Sequence, residues 1–369
     1  MPGKTNISAR QFMILVLLFS VGTILLHTSS PLAGFAKQDA WLAAILGTVG
    51  GLLNVGLFLA VGRLFPHLTL DRVNEKVFGK WLGKLINFCF FFWAFTSSSF
   101  IIFFVGDFIK TFWEPETPIA ALNILFGAVV ILAARLGVET FARSAELLFI
   151  PFIILIVALI IFIAPQAQIH YIQPVLENGI RPVIQASLLY LSLFSVASVI
   201  FLMIFPSSVS QSKTAGKAFY MGILFGGILL IIVILLNLLV LGPDLVTRNI
   251  APSYALAKKI NIGDFLTRLE AIIAFNWIIT TYFRGVIYFH CSLVVFANLF
   301  EIKDARPFSL PLGMLMIVLS LIAFPNTQAV GHFIKHIWLF YGSTFGLLLP
   351  FVLLCTSKIR SLFGVPKHN

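Results

Sequence analysis

Residues 149–165 read FIPFIILIVALIIFIAP and are apolar at every position. A strand of a transmembrane barrel alternates polar and apolar positions, and this stretch shows no such alternation. A helix crosses a hydrocarbon core about 30 Å thick with about 20 residues. The stretch therefore predicts a membrane-spanning helix.

The composition of the whole chain indicates the same environment. Of its 369 residues, 59% are hydrophobic, 39 are Phe and only 11% are charged. A soluble domain of this length could not bury that much apolar surface. We expect a single integral membrane domain, residues 1–369, of the all-α polytopic class. By length, the apolar runs predict about ten spans, near residues 11–29, 41–62, 81–109, 118–134, 145–164, 184–206, 217–241, 265–298, 309–324 and 334–356.

The net charge of +11 does not indicate a nucleic-acid partner. The basic residues lie almost wholly in the connections between predicted spans, where the positive-inside rule accounts for them. With a cytoplasmic N-terminus, most of them fall on the cytoplasmic side, and four others fall in the connection near 242–268. We therefore expect a multi-pass protein of the cell membrane, surrounded by lipid, with both termini cytoplasmic.

Enzyme and cofactor motifs are absent from the sequence. It contains no Walker loop, no dinucleotide glycine fingerprint, no HExxH helix and no nucleophile elbow. The cysteines, Cys89, Cys291 and Cys355, fall in apolar runs without metal-ligand spacing. The sequence predicts neither an enzyme nor a metal or cofactor site.

Polar residues form a stripe within the first predicted span. Ser20, Thr23, His27 and Ser30 are spaced by three, four and three residues, so they share one helical face, with Gly22 among them. A glycine there lets a helix unwind, and the freed N–H groups could bind a carboxylate while the freed carbonyls could bind a cation. The alternative is that Ser20 and Gly22 only permit close helix packing. The spacing alone leaves both open.

The eighth predicted span carries a second stripe. Glu270, Trp277, Thr281, Arg284 and Tyr288 share one helical face. The position of Arg284 is near the middle of the span, too deep to reach the interface easily, so we expect it to face the bundle interior. It serves either as a structural tie to carbonyls of a neighbouring helix or as a fixed charge where a transporter would hold a coupling cation.

Weaker candidates lie in the third and sixth spans. Ser97 and Ser98 belong to a run of hydroxyl residues that could equally bond back to their own helix. The sixth span has Ser195 near its centre but no glycine there, so a break is less evident than in the first span. Asp107, beside Lys110 near a span end, is typical of a solvated interfacial pair.

Six segments together resemble the B subunits of endospore germinant receptors, the spore germination permease family of the amino acid, polyamine and organocation superfamily. The resemblance covers nearly the whole chain, although no single segment is decisive. The segments are SVGTILLHTSSPLAGFAKQDAW (20–41), RLFPHLTLDRVNEKVFGKWLGK (63–84), ARLGVETFARSAE (134–146), IQPVLENGIRPV (172–183), FLMIFPSSVSQSKTAGKA (201–218) and LTRLEAIIAFNWIITTYFRGVIY (266–288).

The resemblance implies a fold and a site. The fold is two inverted five-helix repeats, about 11–164 and 184–356, with helices 1 and 6 discontinuous near the membrane centre. The unwound turn at Gly22, Thr23 and Ile24 would hold a ligand carboxylate by its backbone amides. The residues expected to bind ligand are Ser20, Gly22, Thr23, Ile24, His27, Ser97, Ser98, Ser195, Val196, Ala197, Thr281 and Arg284.

One departure from the family pattern bears on the ligand. Family members often have a Gly-Glu pair in the sixth span where this chain has Val196 and Ala197. The ligand of a relative therefore cannot simply be carried over, and a less cationic ligand, or none, is conceivable.

The implied function is a membrane subunit that senses a nutrient, an amino acid or similar molecule, in a complex with A-type and C-type receptor subunits at the inner spore membrane. The alternatives are an amino acid permease with Arg284 as its fixed charge, and a scaffold that binds no ligand. We expect sensing rather than accumulation, because an arginine stays protonated and His27 is the only protonatable group near the predicted site.

Overall fold

The computed structural model describes residues 7–209, 212–259, 270–324 and 327–362. In these residues nine helices are long and apolar enough to cross a membrane, and the shorter apolar helix Arg306–Ile322 occupies the place of the remaining predicted span. The predicted start of the eighth span near residue 265 lies outside the described residues. In these ranges there is no strand beyond an isolated bridge between Ile7 and Val209.

The ten spans have the following bounds. Span 1 comprises Ala9–Val21, Ile24–His27 and Ser29–Ala36; span 2 is Ala40–Leu64, span 3 Lys80–Phe112, span 4 Ile119–Leu136 and span 5 Val138–Ile163; span 6 comprises Ile180–Phe194 and Val196–Met203; span 7 is Ser212–Leu241, span 8 Glu270–Leu299 and span 9 Ser309–Ile322; span 10 runs from Thr327–His332 to Leu349–Leu362. Short helices connect them at Leu70–Phe78, Pro243–Arg248 and Pro252–Lys258.

Span 1 is interrupted where the sequence predicts a break. Ser8 and Gln11 form a capping box that starts the first helix, which then runs without interruption to Val21. Gly22 follows with φ 28° and ψ −131°, a backbone conformation that essentially only glycine adopts. Helix resumes at Ile24, so a turn of two residues separates the two halves of the span.

Span 6 is discontinuous in a different way. Its α-helix ends at Phe194, Ser195 caps it, and the chain continues as a 3-10 helix over Val196–Met203. A 3-10 helix has 3.0 residues per turn instead of 3.6, so side chains beyond Ser195 point in other directions than an α-helix would give them. The discontinuity is therefore a change of winding rather than an extended turn.

The spans form an inner group and an outer group. In spans 6 and 8, 78% of the residues of the most apolar stretch are buried, against 33% in span 4 and 22% in span 5. Span 1 packs against spans 5, 7 and 8, and span 3 packs along span 8. Spans 1, 6 and 8 therefore form the centre of the bundle, and spans 4 and 5 expose an apolar face.

The amphipathic helix Leu70–Phe78 is fixed at the membrane face where span 8 ends. Asn87 of span 3 donates to the carbonyl of Asp71 at 2.9 Å, and Arg72 donates to the side-chain oxygen of Asn298 at 2.8 Å. Asn298 in turn donates to the buried carboxylate of Asp71. This helix is thereby attached to spans 3 and 8.

Candidate ligand-binding site

A cavity of about 290 Å³ lies beside the break in span 1. Spans 1, 3, 8 and 10 supply most of its wall, with one residue from span 6 and two from the connection between spans 7 and 8. The wall is mainly aromatic and aliphatic, with a few hydroxyl, imidazole and charged groups. Small-molecule sites in proteins have this size and this mixture of apolar wall and sparse polar groups.

The carbonyls at the break lie against span 8. The Thr280 hydroxyl lies 3.2 Å from the carbonyl of Gly22 and 3.0 Å from that of Trp277 in its own helix, and the Trp277 indole N–H donates to the Thr23 carbonyl at 3.4 Å. The Nδ1 atom of His27 also lies 3.4 Å from the Thr23 carbonyl. Thr280 therefore meets the turn, whereas the predicted Thr281 does not.

At the break the N–H of Gly22 donates to the Leu18 carbonyl at 2.9 Å, so this amide is not available to a ligand, whereas within the described part of the chain the N–H groups that follow have no backbone partner. Within the described residues no hydrogen bond is formed by the N–H of Thr23, and the first N–H groups of the helix that begins at Ile24 have no partner inside that helix. A helix N-terminus carries a partial positive charge. The break in the described chain thus leaves N–H donors without backbone partners at residues that line the cavity.

Arg284 adds a full positive charge at the same place. Its side chain is only 3% exposed and lies inside the bundle, as predicted. Its Nη2 atom donates to the Leu193 carbonyl of span 6 at 2.8 Å, and the guanidinium carbon lies 5.1 Å from the centre of the Phe19 ring. Among the described residues its buried Nη1 atom forms no hydrogen bond of standard geometry, and the neighbouring polar side chain is that of Tyr288, whose hydroxyl interacts with the guanidinium. Arg284 therefore links span 8 to span 6 and still has N–H groups that could donate to a ligand.

Gly22 is required for this arrangement. A Cβ atom built on Gly22 would lie 2.5 Å from Cδ and 3.1 Å from Nη1 of Arg284. Ordinary contacts between such atoms are about 3.5–4.0 Å. Gly22 thus supplies the backbone angle of the turn and also the space into which the arginine enters.

The structure brings part of the predicted set together. Thr23, Ile24, His27, Ser97 and Arg284 line the cavity. Gly22 adjoins it beneath the arginine stem.

The other predicted residues do not line the cavity. The Ser20 hydroxyl donates to the Leu17 carbonyl of its own helix. It lies so close to Gly226 of span 7 that a Cβ atom there would contact it, so Ser20 belongs to the packing of spans 1 and 7. Ser98 donates to the carbonyl of Gly285 at 3.0 Å.

The predicted residues of span 6 also lie outside the cavity wall, as does Thr281. Ser195 donates to the Gly51 carbonyl of span 2 at 3.1 Å and therefore faces span 2. Val196 packs on Gly346, and Ala197 is fully buried. Thr281 is fully buried without a hydrogen-bond partner for its hydroxyl among the described residues.

Sequence reasoning missed Asp107 as a cavity residue. The carboxylate of Asp107 lines the cavity, where the sequence suggested a solvated interfacial pair with Lys110. A signal existed, because Ser97, Phe100, Phe104 and Asp107 follow one another at helical spacing on span 3. Their shared face is the one that borders the cavity.

Span 10 was also missed as part of the wall. It winds as π-helix over Phe333–Trp338 and Thr344–Leu348, a rare form that is frequent at functional sites. Phe333, Ile334 and Trp338 face the cavity, and the indole N–H of Trp338 donates to the Ser192 carbonyl at 3.4 Å.

A helical bundle with broken first and sixth spans around a central cavity is the fold of five-plus-five inverted-repeat transporters. Three solved structures share it: the nucleobase-cation-symport-1 transporter Mhp1 (TM-score 0.65, 9% identity, 98% of this chain and 91% of that one), MhsT in complex with L-phenylalanine (0.66, 15%, 95% and 97%) and a Na⁺-coupled sialic acid symporter (0.66, 9%, 99% and 92%). At these identities the likeness shows the fold alone.

The chain belongs to the spore germination protein family, whose model matches residues 6–329. It is 28% identical over 356 residues to spore germination protein KB of Bacillus subtilis, which covers 95% of this chain and 94% of that protein. It is 29% identical over 373 residues to the putative spore germination protein YfkT of the same organism, covering 98% and 99%.

Proposed function

We propose that this chain is the nutrient-binding membrane subunit of a spore germination receptor and that it holds an amino acid or similar small molecule by its carboxylate. The observation that carries the proposal is the arrangement of free donors at the break in span 1. The N–H of Thr23, the start of the helix at Ile24 and the side chain of Arg284 border one cavity whose wall is mainly apolar.

This arrangement favours an anionic group over a cation. The carbonyl oxygens of Gly22 and Thr23, which could coordinate a cation, lie within hydrogen-bonding distance of Thr280 and Trp277 of span 8. Charge-assisted hydrogen bonds to a carboxylate are about twice as strong as neutral ones, and an arginine presents them in a fixed fork. The Nη1 atom of Arg284, which forms no hydrogen bond of standard geometry among the described residues, would gain one on binding.

Sensing is favoured over concentrative transport. Accumulation requires a coupling ion that is loaded and released, and Arg284 holds its proton permanently. No Asp or Glu among the described residues borders the cavity at the level of the break, which leaves His27 as the nearby group that can exchange a proton. A sensor needs only a difference in ligand affinity between two conformations. The permease is the second candidate because the fold neighbours are transporters.

The assembly follows from the same proposal. The subunit would act in a hetero-oligomer with A-type and C-type subunits at the inner spore membrane, with both termini cytoplasmic. The exposed apolar faces of spans 4 and 5 supply the surfaces that lipid or such partners would cover. The names of the Bacillus subtilis relatives support the germination role.

The test is binding and uptake in one preparation of proteoliposomes. A panel of labelled L-amino acids is added with and without an imposed proton gradient, to wild type and to Arg284→Ala and His27→Ala variants. We expect saturable binding that Arg284→Ala abolishes, with no gradient-driven accumulation. Accumulation that His27→Ala removes would favour the permease, and absence of binding to any amino acid would favour the scaffold.

A further inference from the structure

An open recess lies at the membrane face where span 4 ends and span 9 begins. The residues that line it are Leu132, Arg135, Leu136, Asp304, Arg306 and Pro307. None of them belongs to the wall of the cavity beside the break in span 1. The positive-inside rule explains why basic residues occur at this face, but not why two arginines from distant parts of the chain share one recess.

The recess is positively charged. The guanidinium groups of Arg135 and Arg306 outnumber the carboxylate of Asp304, which accepts a hydrogen bond from the backbone N–H of Arg306 at 3.0 Å. Within the described ranges neither guanidinium belongs to an ion pair or forms a hydrogen bond. Both arginines are exposed, so an anion at the membrane surface can reach them. A guanidinium fork matches the oxygens of a phosphate group, to which it can donate two parallel hydrogen bonds.

An apolar stripe on each of the two spans runs from the recess into the membrane. The members of each stripe recur every three or four residues, so they share one helical face. They are Val129, Leu132 and Leu136 on span 4 and Leu310, Met314 and Val318 on span 9, each 50–58% exposed. At a rise of about 1.5 Å per residue, the stripes are about 10–12 Å long, which is most of the thickness of one leaflet, about 15 Å.

Spans 4 and 9 hold these stripes side by side. Ile317 of span 9 packs on Gly127 of span 4, and Ile131 of span 4 packs on Gly313 of span 9. A Cβ atom on either glycine would overlap the isoleucine, so the two helices have the close approach that small residues permit in membranes. Both spans also pack on span 3, so their exposed stripes point away from the bundle. The recess stands at the head of a paired apolar surface.

We propose that this recess binds the headgroup of an anionic phospholipid, with the lipid phosphate between Arg135 and Arg306 and the acyl chains along the stripes of spans 4 and 9. Basic pockets between transmembrane helices are sites of this kind. A glycerol headgroup suits the remaining polar group, because its hydroxyl can donate to the Asp304 carboxylate. The lipid site is separate from the nutrient site, since the two share no lining residue.

Zwitterionic lipids and free phosphate fit the recess less well. Phosphatidylethanolamine and phosphatidylcholine carry a cationic group beside the phosphate, so they leave the excess positive charge of the recess uncompensated. Inorganic phosphate would gain only the contacts with the two exposed arginines, and ion pairs in contact with water contribute little.

The experiment is native mass spectrometry of the full-length protein in detergent, which resolves individual bound lipids and gives the dissociation constant of the first one. The dioleoyl forms of phosphatidylglycerol, phosphatidylethanolamine and phosphatidylcholine are compared, and inorganic phosphate is added as a competitor. The variants are Arg135→Gln and Arg306→Gln. The matched control is Arg143→Gln, which removes the same charge from an exposed residue near the start of span 5, at the same face but outside the recess.

Wild type should bind phosphatidylglycerol about tenfold more tightly than either zwitterionic lipid. Arg135→Gln and Arg306→Gln should each weaken phosphatidylglycerol binding about fivefold, the equivalent of about 1 kcal/mol for a basic residue at an anionic surface, and leave phosphatidylcholine binding unchanged. Arg143→Gln should bind all three lipids as wild type does, and a large excess of inorganic phosphate should not displace the lipid.

Four results would overturn the inference. Equal affinities for the three lipids, or wild-type affinity in both arginine variants, would remove the headgroup site. An equal loss in Arg143→Gln would show attraction to the basic face as a whole. Displacement of the lipid by inorganic phosphate would make the recess a site for free anions, and a dimer that excludes lipid would assign the stripes to a second copy of the chain.

Discussion

Replacing Gly22 by alanine should move the Arg284 side chain away from the N–H donors at the break in span 1. The new Cβ atom would lie 2.5 Å from Cδ of Arg284 and 2.8 Å from the Phe19 carbonyl, at a residue with φ 28°. The arginine stem must retreat by about 1 Å to reach an ordinary contact distance. That movement stretches the 2.8 Å hydrogen bond to the Leu193 carbonyl beyond hydrogen-bonding range.

The expected loss in the free energy of unfolding is the sum of two costs. The backbone conformation, unfavourable for any residue with a side chain, costs about 1–3 kcal/mol. Loss of a buried hydrogen bond from a charged group costs about 1.5–3 kcal/mol. The sum of about 2.5–6 kcal/mol is a large part of the 5–15 kcal/mol that stabilises a typical native protein. We therefore expect a destabilised protein with little affinity for L-leucine.

The assay is the midpoint of thermal unfolding of the purified protein, with and without L-leucine. Gly34→Ala is the matched control, because Gly34 also lines the cavity and its Cβ would meet only Thr247, at 3.9 Å. In an Arg284→Ala background, Gly22→Ala should cost about 1.5–3 kcal/mol less, since the displaced hydrogen bond is already gone. Equal midpoints and equal ligand shifts for Gly22→Ala and Gly34→Ala would refute the reasoning.

Three further perturbations have defined outcomes. Arg284→Lys should bind L-leucine at least about tenfold more weakly than wild type in isothermal titration, since a lysine cannot replace the fork that meets both span 6 and the ligand; wild-type affinity would contradict this. Gly346→Ala places a Cβ 2.2 Å from a backbone oxygen of span 6 and should lower the unfolding midpoint, whereas Gly331→Ala, with nothing within 4 Å, should leave it unchanged. The hydrogen bond and charge of a neighbouring lysine hold the pKa of exposed Glu301 below its ordinary value of 4.5, so the fold gains stability from this carboxylate only while it is ionised. Glu301→Gln should therefore unfold at a slightly lower temperature at pH 7, and the difference should disappear as the pH falls below 4.5; a difference that persists in acid would show another cause.

The fold was predictable from the sequence because the bilayer restricts the choices. Apolar runs of sufficient length must become helices, since each backbone group in hydrocarbon needs an internal partner. The break at Gly22 was predictable only with the family resemblance, because a glycine within a stripe of polar residues was equally consistent with close helix packing. Counting residues along span 8 placed Arg284 near the middle of the membrane. A charged side chain at that depth must face the protein interior rather than lipid.

The rotation of individual helices about their axes was not predictable. Ser98 and Asp107 lie on the same helix, and packing alone decides which of them meets a neighbouring span and which meets the cavity. At Ser195 the winding changes from α to 3-10, and no residue type at that position marks the change. The resemblance to the family suggested residues near Ser195 as ligand contacts, and the local geometry turns Ser195 toward span 2.

The contacts of Trp277 and Thr280 with the broken turn couple the position of span 8 to that of the turn. Any displacement of the turn at Gly22 either breaks these contacts or moves span 8 with it. Span 8 continues as one helix to Asn298, about 27 Å beyond Thr280, and there it holds the amphipathic helix Leu70–Phe78. A small tilt of span 8 at the ligand site would therefore move the helix Leu70–Phe78 at the opposite membrane face. A partner subunit bound there would respond to the ligand without contacting it.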